Sequence, residues 1–180
     1  VKGSLVLVGG APGIGKSTLM LQICDNLCRF ASVLYVSGEE SERQIKLRAE
    51  RLKVQGEGLY LLAETNLENL VDAVHAMRPD VLIVDSIQTM YNGDVGASPG
   101  SVSQVKECTM TLMQLAKGEG ITVFVTTHYM DESEYCDRIS IMVDGQIKAL
   151  DTPRALKRQF DCDSMDEVFY QLARGAKRSE

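Results

Sequence analysis

Gly10-Ala11-Pro12-Gly13-Ile14-Gly15-Lys16-Ser17-Thr18 is the stretch whose reading decides the fold. A short apolar run, Leu5-Val6-Leu7-Val8, precedes it, and Leu19, Ile23, Leu27 and Phe30 recur behind it at helical spacing. Strand, glycine-rich loop, helix is the context a phosphate-binding loop requires, and the G-x-x-x-x-G-K-S spacing is complete. Glycines let backbone N–H groups turn inward around an anion with no Cβ in the way. The helix that follows points the positive end of its dipole at the same phosphates. The expected nucleotide-binding residues are therefore Gly10, Pro12, Gly13, Ile14, Gly15, Lys16, Ser17 and Thr18. Lys16 is placed to reach the β- and γ-phosphates, and Ser17 to give its hydroxyl to Mg²⁺.

Outward from this loop the chain alternates strand and helix. Val33-Leu34-Tyr35-Val36 and Leu59 to Leu62 read as strands, and Ile45, Ala49 and Leu52 make the buried stripe of a helix capped by Ser41 and Gln44. Thr65 and Glu68 suggest a second capping box, before Leu67, Leu70, Val71 and Val74; that helix ends at Arg78-Pro79. Val81-Leu82-Ile83-Val84-Asp85 is apolar without a break, as a strand covered on both faces must be. A Gly/Ser/Pro-rich loop over 91–100 leads to a helix capped by Ser101 and Gln104. Its inward residues are Val102, Val105, Leu112 and Leu115, and it stops at Gly118 and Gly120. Ile121-Thr122-Val123-Phe124-Val125 is the next strand. The alternation specifies an α/β fold with a mostly parallel sheet and helices on both faces.

The pattern changes after His128. Asp131 and Glu134 suggest a short helix, and Asp144-Gly145 between two apolar runs signals a β-hairpin. Thr152-Pro153 opens one more helix, and Ser164 with Glu167 opens the last. Residues 175–180 read as a frayed tail. With no repeat and no low-complexity linker, 1–180 reads as a single domain.

The composition, 44% hydrophobic and 24% charged with a net charge of −6, suits a globular chain. It argues against a broad nucleic-acid footprint, which needs concentrated Lys and Arg. No run approaches the length of a membrane span and no signal-peptide pattern opens the chain, so the expected location is cytoplasmic. Cys24 and Cys28 lie one helical turn apart, yet five cysteines without paired metal spacing read as free thiols.

Asp85 closes its strand where P-loop ATPases keep the carboxylate that holds Mg²⁺ through water. The next residue is Ser86 rather than Glu, so the base that activates water must come from elsewhere. Glu39 and Glu40 follow the second strand on the sheet edge where open α/β folds bind ligands. Glu39 is chosen as the base; the competing reading is that both glutamates only complement the next helix's dipole. His128, at the same edge, is placed to hydrogen-bond the γ-phosphate and sense its loss. His75 reads as structural.

Several segments carry family resemblances. Gly9 through Thr18, Tyr35-Val36-Ser37-Gly38-Glu39-Glu40-Ser41, Asp85-Ser86-Ile87-Gln88 and Ser98-Pro99-Gly100-Ser101-Val102 resemble the RadA/Sms family of RecA-like DNA-repair ATPases, with Ala11 where a polar residue is the expectation. That resemblance implies a RecA core, ATP and Mg²⁺, with Glu39 as base and Asp85 on the magnesium side. From Thr126 onward, Thr127-His128-Tyr129-Met130-Asp131-Glu132, Tyr135 through Ile139 and Met142 through Ile147 resemble the end of an ABC-transporter ATPase domain, in which His128 matches the switch histidine. The second DNA loop and the Lys-Asn-Arg-Phe-Gly motif of RadA are missing. So are the signature motif and the Asp-Glu pair of ABC ATPases. Together the resemblances imply a chimera, engineered or recombined, of a RadA-like part (1–125) and an ABC-like part (126–180).

The implied function is ATP·Mg²⁺ binding with weak hydrolysis. The alternatives are a nucleotide-binding scaffold without turnover and a RadA-type DNA-repair core. DNA is not an expected partner, since residues 88–105 hold no Lys or Arg. The base preference and the oligomeric state are not written in any residue.

Overall fold

The computed structural model describes residues 2–54, 56–128, 133–134 and 136–176. Seven strands form one sheet: β1 (Leu5–Gly10), β2 (Val33–Ser37), β3 (Leu59–Ala63), β4 (Val81–Asp85), β5 (Thr122–Thr127), β6 (Arg138–Val143) and β7 (Gln146–Asp151). Their order is β3-β2-β4-β5-β1-β6-β7. All neighbours are parallel except β6 and β7, which form the expected hairpin across Asp144 and Gly145, both at positive φ.

Among the described residues six α-helices sandwich this sheet: α1 (Lys16–Leu27), α2 (Glu42–Arg51), α3 (Leu67–Met77), α4 (Val102–Glu119), α5 (Pro153–Phe160) and α6 (Met165–Ala176). One core layer joins Leu5, Leu7, Leu82 and Val84 to Leu70 of α3, Leu112 of α4, Leu156 of α5 and Val168 of α6. The other joins Val8, Tyr35 and Ile83 to Met20, Leu21 and Cys24 of α1 and Ile45 of α2. The strands' alternating side chains thus feed two faces, which is why β2 and β4 are apolar at almost every position.

Some details differ from the sequence reading. Phe30 lies past the end of α1 and is 77% exposed, and Val102, the first residue of α4, is 71% exposed. Asn66, not Thr65, caps α3, accepting from the N–H groups of Glu68 and Asn69; Thr65 instead takes the Tyr91 N–H on its carbonyl at 2.9 Å. Ser101 caps α4 as expected, but the Gln104 side chain is buried and turned into the preceding loop. Gly118 lies inside α4, and Gly120 alone ends it, in the left-handed conformation. α6 continues through Ala176, so residues 175 and 176 are helical rather than frayed, and 177–180 lie outside the described residues. The short helix from Asp131 to Glu134 falls mostly outside them too; Ser133 and Glu134 form a 3₁₀ turn.

No described helix is long and apolar enough to cross a membrane. The cysteines among the described residues are free, and burial pushes the Cys24 thiol up to about 12. No cluster of three or more metal-ligating side chains occurs among the described residues.

Candidate nucleotide site

Because β1, β2, β4 and β5 run parallel, their carboxyl ends open on one edge, and each delivers one part of the site. β1 delivers the glycine-rich loop, in which Gly13 (φ 77°) and Gly15 (φ 104°) adopt backbone that L side chains rarely take. The Lys16 ammonium lies across this loop and donates to the carbonyls of Gly10 (2.7 Å) and Ala11 (3.1 Å). Burial lowers the Lys16 pKa, against the opposing pull of Asp85 and Glu39. Both carboxylates are thus close enough to act on it.

β4 delivers Asp85, which is 8% exposed. One of its oxygens accepts the buried hydroxyl of Tyr35, from β2, and the other accepts the hydroxyl of Thr126, from β5, at 2.6 Å. The Tyr35 hydroxyl is held protonated by burial and by the adjacent Asp85. The Asp85–Ser86 peptide bond is cis. Beyond it a single 3₁₀ turn, Ile87–Thr89, which the sequence reading did not anticipate, carries Gln88; its amide donates to the hydroxyl of Thr127.

β2 delivers the two glutamates, and the structure separates them. Glu40 forms an ion pair with Arg48 of α2. Glu39 turns toward β4, where the Ser86 hydroxyl donates to its Oε1 at 2.7 Å. The Ser37 hydroxyl accepts the backbone N–H groups of both. β5 delivers His128, whose pKa is lowered by burial and by Lys16, with Glu39 opposing.

A cavity of about 590 Å³ joins these parts. The loop with Lys16, Ser17 and Thr18, then Glu39, Asp85 and His128, and also Arg51 and Leu52, line it. Every catalytic and metal-side residue expected from the sequence thus meets in one space. Gly10 and Ile14 are not on its wall: Gly10 is packed beneath it, where a Cβ would come within 2.9 Å of the Met142 carbonyl of β6. The hydroxyls of Tyr35, Ser86 and Thr126 were missed, since nothing in sequence spacing announces a partner on another strand. The donor set of a serine hydroxyl, an aspartate and a lysine beside a glycine-rich loop fits Mg²⁺ and a phosphate chain.

Comparison with known proteins agrees with the fold. A family described as AAA domain matches residues 1–134. The chain belongs to that AAA-domain family. Its curated relatives are named DNA repair protein RadA: the one from Listeria monocytogenes is 55% identical over 133 residues, covering 73% of this chain and 29% of the relative. The Bacillus subtilis protein is 53% identical over 133 residues, with the same shares. The Campylobacter jejuni protein is 40% identical over 185 residues, 97% of this chain and 42% of the relative. The chain therefore spans less than half the length of these relatives. The Campylobacter alignment also runs through most of 126–180. RadA homology thus extends past the junction read from the sequence, and these relatives lend no support to a chimera or to an ABC-transporter part for this AAA domain.

Proposed function

We propose that this AAA domain is a RadA-like ATPase core that binds ATP·Mg²⁺ and hydrolyses it slowly. The observation that carries this reading is the convergence of Lys16, Ser17, Asp85, Glu39 and His128, from four parallel strand ends, on one cavity. Lys16 exchanges its loop carbonyls for β- and γ-phosphate oxygens, and the loop's N–H groups hold the chain in line. Ser17 and Asp85 would hold Mg²⁺, which when bound neutralises charge developing on the phosphates. Glu39 orients the attacking water and takes its proton. His128, which lines the same cavity, senses the γ-phosphate. A scaffold function without turnover is the competing outcome.

Slow turnover follows from the local site, since cations inserted by a neighbouring protomer supply about 10³–10⁵ of the rate in P-loop enzymes. A role in DNA repair, in the cytoplasm, is the second reading, favoured by the printed name of the relatives. The loop over 91–100 contains no Lys or Arg to hold a phosphate backbone, so DNA contact would have to come from elsewhere.

Calorimetric titration with ATP·Mg²⁺ tests the reading, followed by phosphate release on the same sample. Lys16→Ala should weaken binding at least about a hundredfold, and Glu39→Gln should keep binding while release falls by about 10²–10⁴. Binding without release in the wild type would establish the scaffold function. A DNA shift at low salt would revive the repair reading.

A further inference from the structure

We infer that Ser86 is a positioning residue for the water-activating carboxylate, standing where a second acidic residue would follow Asp85. This rests on the reading of Glu39 as base. Ser86 is 4% exposed, and its hydroxyl donates to Glu39 Oε1 at 2.7 Å. One carboxylate oxygen is thereby occupied, and the other is left to accept from water. A free glutamate side chain has three rotatable bonds, and one fixed oxygen removes most of that freedom.

The contact follows from strand register. Ser37 of β2 pairs with Asp85 of β4, so the two chains leave the sheet side by side, and the Gly38 N–H donates to the Asp85 carbonyl at 3.3 Å. Two further contacts fix the donor and the acceptor. The Thr89 hydroxyl donates to the Ser86 carbonyl at 2.8 Å, closing the 3₁₀ turn over it. The Ser37 hydroxyl accepts the Glu39 N–H at 3.3 Å. Glu40, the alternative base, lines the same cavity but is committed to Arg48. The Ser86–Glu39 bond is thus the link by which the strand carrying the magnesium-side acid also aims the base.

Single-turnover hydrolysis by Ser86→Ala, Ser86→Thr and Glu39→Gln, with ATP affinity measured on each, tests the assignment. Ser86→Ala should lower kcat about tenfold to a hundredfold with KM and affinity within about twofold, because a misaimed base loses rate and not binding. Ser86→Thr, which keeps the hydroxyl, should recover most of the loss. Loss of affinity in step with rate, or no rescue by threonine, would mark a merely structural serine and overturn the inference. A Ser86→Ala rate within twofold of wild type, while Glu39→Gln abolishes release, would overturn it and spare the base. Unimpaired release in Glu39→Gln, or no release by the wild type, would overturn the base reading and the inference with it.

Discussion

The β2–β4 side of the sheet and the β6–β7 side, with α5 and α6 behind it, differ in how they use polar groups. Where β2 and β4 end, hydroxyls of Tyr35, Ser37, Ser86 and Thr89 are each spent on a neighbour in the site. Around β6 and β7 the work is apolar: Ile139, Ile141, Leu156, Met165 and Val168 fill one core layer. Two strands, β5 and β1, separate the regions, and β6 pairs with β1 from Val6 to Gly10, beneath the glycine-rich loop. On the proposed reading one region carries the chemistry, and the other braces the strand that presents the glycine-rich loop. The comparison teaches that stability and activity should separate when each side is perturbed.

The largest expected effect on stability lies on the bracing side. Leu156→Ala, at a site 1% exposed, should lower unfolding free energy by about 3 kcal/mol in urea titration. ATP affinity at a temperature where the variant is folded should stay within about twofold; a large loss of affinity would break the division. Gly38→Ala probes the chemical side. Its new Cβ would sit 2.1 Å from the Thr89 hydroxyl and 2.9 Å from Thr65, displacing the turn that carries Ser86. We expect about 1–3 kcal/mol of destabilisation, with hydrolysis falling more than ATP affinity.

The smallest effect concerns the other end of β2 and β4, where Ser32 and Asp80 precede the two strands. Asp80 accepts the N–H and the hydroxyl of Ser32, and these bonds, the N–H first, hold its carboxyl below the usual 3.8. A depressed pKa contributes stability above the unfolded value, lost as pH falls through the folded one. Asp80→Asn should therefore lower Tm only slightly at pH 7, since water screens this exposed carboxyl, and the difference should shrink as pH falls into the acid range. A difference that persists in acid would show that Asp80 acts through shape rather than charge.

These variants also mark where sequence stopped being informative. That the glycine-rich loop, Asp85 and Glu39 share one sheet edge was legible because position there is local: spacing within one strand-to-helix turn, or a place at a strand end. Ser86 was visible as an oddity, the absent glutamate, but its use depends on β2 and β4 pairing in register across 47 residues of chain. Tyr35 read as an ordinary strand residue and Thr126 as the residue after a strand, until the sheet order placed β2 and β5 on either side of β4. Asn66 and Thr65 are both good helix caps, and the strand-like bridge between Asn66 and Tyr91 decided between them. Val102 had the right helical spacing but sits at the first turn of α4, beyond the layer that covers the rest of that helix.

Gln104 carries a consequence of its own. Its amide nitrogen donates to the carbonyls of Asn92, Val95 and Ala97, and its oxygen accepts the Asn92 N–H. Four and eight residues behind it on the same helix face, and buried in turn, are Cys108 and Leu112. The stretch over 92–97 is in effect riveted to α4 by one side chain. It will tilt and unfold as a flange of that helix, not as a tether swinging on its own, and anything that grips it grips the sheet's central layer as well.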